Sequence, residues 1–191
     1  EALDKETLSL LKKIGCNYLV YAPESGSKKT LEMVKKRISL ERITKSIEEA
    51  KKQKLVIRTN LIIGFPGEKW GDVFKTVFYG LKLAIKGVDE VPLFIFSPYP
   101  GTEIFYDLYN KKKIRLNDKY FFSLTSLNSD YLSWNVVSFN PNLDPKILGL
   151  IRTTTILVNY ALGYVLYPQR IIRTIQNLRS HGKAATVFEH R

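Results

Sequence analysis

Three short segments concentrate the residues that could do chemistry: Pro23-Glu24-Ser25-Gly26-Ser27, Gly64-Phe65-Pro66-Gly67-Glu68 and Ser97-Pro98-Tyr99-Pro100-Gly101-Thr102. Each follows an apolar run that reads as a strand, and each mixes glycine and proline with carboxylate or hydroxyl groups. Ligands of α/β proteins gather outside the carboxyl ends of the strands, so three such loops in succession mark a candidate binding site. Turn chemistry is the competing explanation for any one loop, because glycine and proline serve strand-to-helix turns generally. Metal chemistry finds no ligand set. Cys16 is the single cysteine and suits a small core residue, and His181 and His190 lie in the tail, too sparse for a site.

The elements that must position these loops follow from hydrophobic period. A helix is predicted over residues 4–14, with Leu8, Leu11 and Ile14 on one face and Gly15 as its stop. A buried strand follows at 18–22, then a turn or two of helix near 30–35, then a helix from the N-cap Ser39 with Ile43, Ile47 and Ala50 at helical spacing. The second strand is expected at 56–63 and ends in a type II turn with Pro66 and Gly67 at its centre. The next helix reaches about residue 86, with Phe74, Val77, Phe78, Leu81 and Ile85 as its expected buried stripe. A third strand is expected at 90–96, stopped by Pro98 and Pro100. Such alternation implies a parallel sheet, and three strands alone leave open edges, which points to part of a larger barrel.

Beyond Lys111-Lys112-Lys113 the sequence turns aromatic and rich in Asn and Ser, and a loop-rich connector is expected over 111–145. Asp144-Pro145 then reads as a helix start, leading into a long apolar helix ended by Pro168 and a basic helix from about 169 to 179. Residues 146–191 are therefore expected to form a helical, basic extension. From Thr153 to Gln169 no residue is charged, which is short of the usual membrane span and makes a transmembrane helix the least favoured reading. Tyr160, Tyr164 and Tyr167 fall along one face, and Arg170, Arg173 and Arg179 alternate with isoleucines. Packing under the barrel and peripheral membrane contact through 146–180 both suit that pattern.

Composition sets wider bounds. With 191 residues, 45% apolar, the chain can bury a core, and 30 Lys and Arg against 18 Asp and Glu make its field positive. A lone cysteine and no signal-peptide pattern point to a cytoplasmic, reducing location, with membrane association as an addition to it. The first residue is not Met, and further sequence upstream is expected.

Taken together, Gly15-Cys16, the run Ala22 to Ser27 with Leu31 and Lys36, and Gly64 to Glu68 with Thr76 resemble the radical S-adenosylmethionine (SAM) superfamily, in its cobalamin-associated branch. That branch includes the oxidative cyclase of bacteriochlorophyll synthesis and the hopanoid methylases. The resemblance covers residues 1–110 and implies the C-terminal half of a partial (β/α)6 TIM-like barrel. It implies SAM and a [4Fe–4S] cluster as cofactors, the cluster's thiolates lying outside this chain, and leaves cobalamin open. It implies that Glu24 and Asn60 meet the SAM ribose, that Lys36 meets its carboxylate, and that Gly64, Phe65, Phe96, Ser97 and Pro98 pack at the adenine. Local alternatives stand beside these: Glu24 could cap a helical turn, Lys36 sits in a solvated Lys-Lys-Arg run, and Glu68 suits a helix start. The implied activity is radical modification or methylation of a small-molecule or lipid-like substrate, with a flavodoxin or ferredoxin as reductant. The alternatives are tRNA modification, which no evident RNA-binding module supports, and a non-catalytic membrane- or nucleic-acid-binding module.

Overall fold

The computed structural model describes residues 2–129 and 136–180, so His181 and His190 lie outside the described residues. The order is α1 (Lys5–Lys13), β1 (Tyr18–Glu24), α2 (Lys28–Met33), α3 (Leu40–Lys52), β2 (Val56–Ile63), α4 (Trp70–Ile85) and β3 (Leu93–Ile95). Then come α5 (Glu103–Asn110), α6 (Asp118–Ser129), α7 (Pro145–Leu166) and α8 (Gln169–Ser180). Local signals start the early helices: the side chains of Asp4, Ser27, Ser39 and Thr102 each accept a backbone N–H of the following turn.

β1, β2 and β3 form one parallel sheet in that order. Along β2 the side chains alternate. Ile57, Thr59, Leu61 and Ile63 are buried, whereas Val56, Arg58, Asn60 and Ile62 are only partly covered. α3 supplies Ile43, Ile47 and Ala50 to the covered side, as their period predicts.

α4 turns otherwise than its apolar period suggests. Its buried residues include Val73, Thr76, Gly80, Leu83 and Ala84, while Phe74, Phe78 and Ile85 are 45%, 66% and 54% exposed. Small residues bring the helix axis close to the sheet: a Cβ on Gly80 would stand 3.1 Å from Leu61 and 3.4 Å from Val91. Close approach wins over bulk.

The C-terminal helices are integral to this core. Leu148 and Ile156 of α7 are buried in the same cluster as Ile57, Leu61 and Leu83, so 146–180 packs with 1–110 rather than apart from it. The expected connector likewise holds a helix, α6. The Asn117 side chain accepts the Tyr120 N–H at its start, and Tyr120 and Leu124 bury beside Phe105 and Ile114. Among its described side chains one buried i, i+4 pair is too sparse a period to read from sequence.

Tyr160 and Tyr164 of α7, Tyr167 just beyond it, and Arg170 and Arg173 of α8 turn inward. Tyr160 donates to Glu90, and Tyr167 donates to the Ile85 carbonyl at 2.7 Å. Arg170 closes the C-terminal end of α4 by donating to the carbonyls of Gly87 and Val88, with its guanidinium over the Tyr167 ring. These residues are therefore not a membrane-facing set. Among the described residues no helix is long and apolar enough to cross a membrane.

Asp89 gathers the base of the molecule. Its carboxylate meets Lys51 at 2.7 Å, Arg173 at 3.1 Å, Arg170 at 3.5 Å and the Ile57 N–H at 3.0 Å. Burial opposes its ionisation, but Lys51, Arg170 and these hydrogen bonds prevail and hold its pKa below the usual carboxylate value. Asp89→Ala would leave three cations facing a void, and the expected loss is about 3 to 5 kcal/mol of unfolding free energy. Urea denaturation checks this; a loss under about 1 kcal/mol would show that the cluster does not secure α8.

Candidate functional site

At the carboxyl ends of the three strands lies a cavity of about 780 Å³. Its lining draws on all three predicted loops: Glu24 from β1, Asn60 and Ile62 from β2 with Phe65 beyond it, and Phe94, Phe96 and Ser97 from β3 and its exit. α2 and its exit add Met33 and Lys35, and α5 adds Glu103 and Asp107.

Backbone irregularity brings Glu24 to the cavity. The β1–β2 register shifts between Tyr21 and Glu24, and Glu24 itself adopts φ +68, an uncommon region for a residue with a Cβ. The turn behind it is held rigidly. Gly26 abuts α4 so closely that a Cβ would fall 2.5 Å from the Lys75 carbonyl oxygen. Ser25 and Thr76 share a hydroxyl hydrogen bond at 2.8 Å, Thr76 accepts the Gly26 N–H, and Ser27 donates to Asp72 at 2.8 Å.

Of the residues predicted to line a ligand, Glu24, Asn60, Phe65, Phe96 and Ser97 come together on the cavity. Lys36, Gly64 and Pro98 do not line it. The Lys36 ammonium donates to Glu24 at 3.2 Å and borders a neighbouring groove, so it reaches the cavity only through that carboxylate. Gly64 serves its turn: φ is +87, its N–H is bound by Glu68, and a Cβ would press on Leu148 at 3.3 Å rather than on a ligand. Pro98 is buried, and its carbonyl accepts the Tyr120 hydroxyl. Asn60 has its oxygen bonded by Arg58 at 2.9 Å, which leaves its NH2 group as the donor for a ligand. The rings of Phe65 and Phe96, 4.9 Å apart, make an apolar wall.

Glu68 is the residue that sequence reasoning underrated. Rather than facing solvent at a helix start, it is 1% exposed and holds the turn before it. One oxygen accepts the N–H groups of Gly64 at 2.7 Å and Phe65 at 3.2 Å, and the other accepts the Thr30 hydroxyl at 3.1 Å. From the far side of the sequence Asn140 donates to the carbonyls of Phe65 and Glu68 at 2.6 and 2.8 Å. The motif Gly-Phe-Pro-Gly-Glu carried the signal, since a carboxylate three residues beyond two turn N–H groups can return to cap them. The Asn140 contact had none.

The comparisons with known proteins bear on this geometry. Residues 1–79 match the family described as the radical SAM superfamily. The match covers 79 of the chain's 191 residues. An uncharacterized methyltransferase of Pyrococcus horikoshii is 30% identical over 115 residues, which is 60% of this chain and 24% of the relative. Bacteriochlorophyllide d C-8(2)-methyltransferase of Chlorobaculum tepidum is 30% identical over 118 residues, 60% of this chain and 25% of its own length. A tRNA-2-methylthio-N(6)-dimethylallyladenosine synthase of Thermus thermophilus is 36% identical over 91 residues, 46% and 18% of the two chains. The chain thus spans a quarter or less of these relatives. The radical SAM class is enzymatic, and it implies SAM and a [4Fe–4S] cluster as cofactors.

The residues present fit the first of these and not the second. An apolar aromatic wall beside an amide donor and a carboxylate acceptor suits a nucleoside with its hydroxyls. A cluster needs several thiolates, whereas the one thiol, Cys16, lies before β1 at the opposite end of the strand from the cavity and donates to the Tyr18 carbonyl. Among the described residues no group of His, Cys, Asp and Glu could hold a metal ion.

Burial raises the Glu68 pKa from 4.5 to about 7, against the opposing hydrogen bonds from Gly64, Thr30 and Phe65. A carboxyl whose folded pKa exceeds its unfolded one binds more protons when folded. Its contribution is therefore complete below pH about 4.5 and lost as pH rises to about 7, about 3 kcal/mol in all. Glu68→Gln keeps an acceptor for the two N–H groups and offers an amide donor to Thr30, so that pH dependence should vanish. Urea midpoints from pH 4 to 8 test this, and an unchanged slope in the variant would assign the dependence elsewhere.

Proposed function

We propose that this chain forms the C-terminal half of a partial (β/α)6 radical SAM barrel. The complete protein would use SAM, with a [4Fe–4S] cluster whose thiolates lie upstream, to modify or methylate a small-molecule or lipid-like substrate. The observation that carries this is the convergence of Glu24, Asn60, Phe65, Phe96 and Ser97 on one cavity at the strand ends. The methyltransferase names of two relatives support the methylation arm, and cobalamin would enter with it as methyl carrier. Bound SAM would supply the radical or methyl chemistry, while the protein positions it and excludes water.

In this reading Asn60 and Glu24 bind the ribose hydroxyls, Phe65 and Phe96 flank the adenine, and Lys36 positions Glu24 by ion pairing rather than meeting SAM itself. Ile62 and Phe94 keep water from the reacting end. A flavodoxin or ferredoxin would deliver the electron, and the cytoplasm would be its compartment.

A second reading, tRNA modification, is favoured by one feature. A groove of about 640 Å³ beside the cavity mouth carries Lys28, Lys35, Lys36 and Arg37, and several relatives are named as tRNA-modifying synthases. Phosphate contacts there would make tRNA binding fall steeply with salt.

Anaerobic calorimetry of SAM binding to the complete, cluster-loaded protein tests the main reading. Asn60→Ala should weaken binding by about 0.5 to 1.5 kcal/mol, roughly two- to tenfold, for a neutral hydrogen bond exchanged against water. Glu24→Gln should lose less than Glu24→Ala, because it keeps an acceptor. Wild-type affinity in both Asn60→Ala and Glu24→Ala would refute the site.

A further inference from the structure

α7 keeps an aliphatic row outside the core. The face it turns to the protein carries Leu148 and Ile156 together with Arg152, Thr153, Thr155 and Asn159, all buried, whereas the face it turns outward carries Ile147, Leu150, Leu157 and Val165, which are 44% to 77% exposed. At 1.5 Å per residue that outward row runs about 27 Å. α8 repeats the pattern: Arg170 and Arg173 bind the carbonyls and carboxylate at the base, and Ile171, Ile172 and Ile175 face outward.

α4 packs beside α7, and Phe74, Phe78 and Ile85, displaced from the core by the close sheet contact, add a second apolar row. Monomers in water seldom leave an apolar surface of this extent uncovered.

We propose that the outer face of α7 and α8, widened by the apolar row of α4, rests on an anionic lipid surface. Two features favour lipid over a protein partner. Specific protein interfaces carry about one hydrogen bond per 100–200 Å². The outward row from Ile147 to Val165 offers only the Thr154 hydroxyl, and its residues are otherwise aliphatic. The border of the face is cationic. Lys75 and Lys82 are exposed on α4 beyond its apolar row, and Lys146 is exposed where α7 begins, so headgroup phosphates would meet ammonium groups around an aliphatic centre.

With Arg170 and Arg173 anchored to the protein, α8 would lie flat, its isoleucines immersed to the depth of an in-plane helix. The set differs from the tyrosine and arginine pattern visible in sequence, because those residues are consumed by internal bonds. The inference does not depend on SAM chemistry.

The test is co-sedimentation of the complete protein with phosphatidylcholine vesicles and with vesicles enriched in phosphatidylglycerol. Binding should favour the anionic vesicles, weaken with salt, and fall at least about tenfold in Leu157→Glu/Val165→Glu, with circular dichroism confirming the fold. If that variant does not fold, Thr154→Cys labelled with an environment-sensitive dye, with the unsubstituted protein carried through the same labelling as the reference, should add a blue shift on anionic vesicles. Equal partitioning of wild type and variant, or an unshifted dye, overturns the proposal. So does a dimer seen by light scattering that the double variant abolishes while vesicle binding is absent, which would assign the face to a second copy of the chain.

Discussion

A carboxylate brought into a nearly dry interior loses its hydration and must recover it from fixed donors. Glu68 does so by taking two N–H groups from its own turn and one hydroxyl from α2. The bonds fix where Phe65 stands, and Phe65 is half of the aromatic wall of the cavity. Through Thr30 the same carboxylate ties the loop after β2 to the helix that follows β1, and Asn140 locks the turn's outward carbonyls. Two of the three strand-end loops are therefore set by one buried charge. Its raised pKa expresses the balance, since desolvation exceeds what three hydrogen bonds return.

A second buried carboxylate works in the opposite sense at the opposite end. Asp89 has three cationic neighbours, so Coulomb attraction outweighs desolvation and its pKa falls. The difference lies in partners rather than depth: dipolar donors hold Glu68, full charges hold Asp89. The lower cluster fastens α8 beneath α4, which in turn meets the loop of Gly26 through Thr76 and Asp72. Rigidity at the cavity thus has a continuous mechanical support down to the base of the sheet.

The sequence was legible where one residue type served one local need. Ser39 capping α3, Pro66-Gly67 making the turn and Val56–Ile63 as a strand are set by backbone chemistry within a few residues, and the structure agrees. Long-range choices were not legible. The apolar stripe of α4 reads as core, yet Gly80 and Ala84 face the sheet because closeness outweighs side-chain volume there. Resemblance places Lys36 on a ligand, but its ammonium spends its charge on Glu24, and the Asn140 clamp spans more than seventy residues. α6 lacks a clear apolar period, and Tyr160 and Tyr167 turn inward to acceptors, Glu90 and the Ile85 carbonyl, that are remote in sequence.

The cavity's rim behaves differently from its floor. Below, Phe65 and Phe96 are held by packing and Asn60 by its half-buried bond to Arg58. Above, the mouth is bridged by Lys35 and Glu103 at 2.6 Å, with side chains 73% and 77% exposed. An exposed pair of this kind contributes roughly 0 to 1 kcal/mol, and it is further screened by salt. Opening it therefore costs little. A ligand can enter between α2 and α5 without disturbing the floor, so the floor can hold one molecule in a fixed pose while the rim adapts to a second. That division suits chemistry in which a tightly positioned cofactor acts on a substrate that comes and goes.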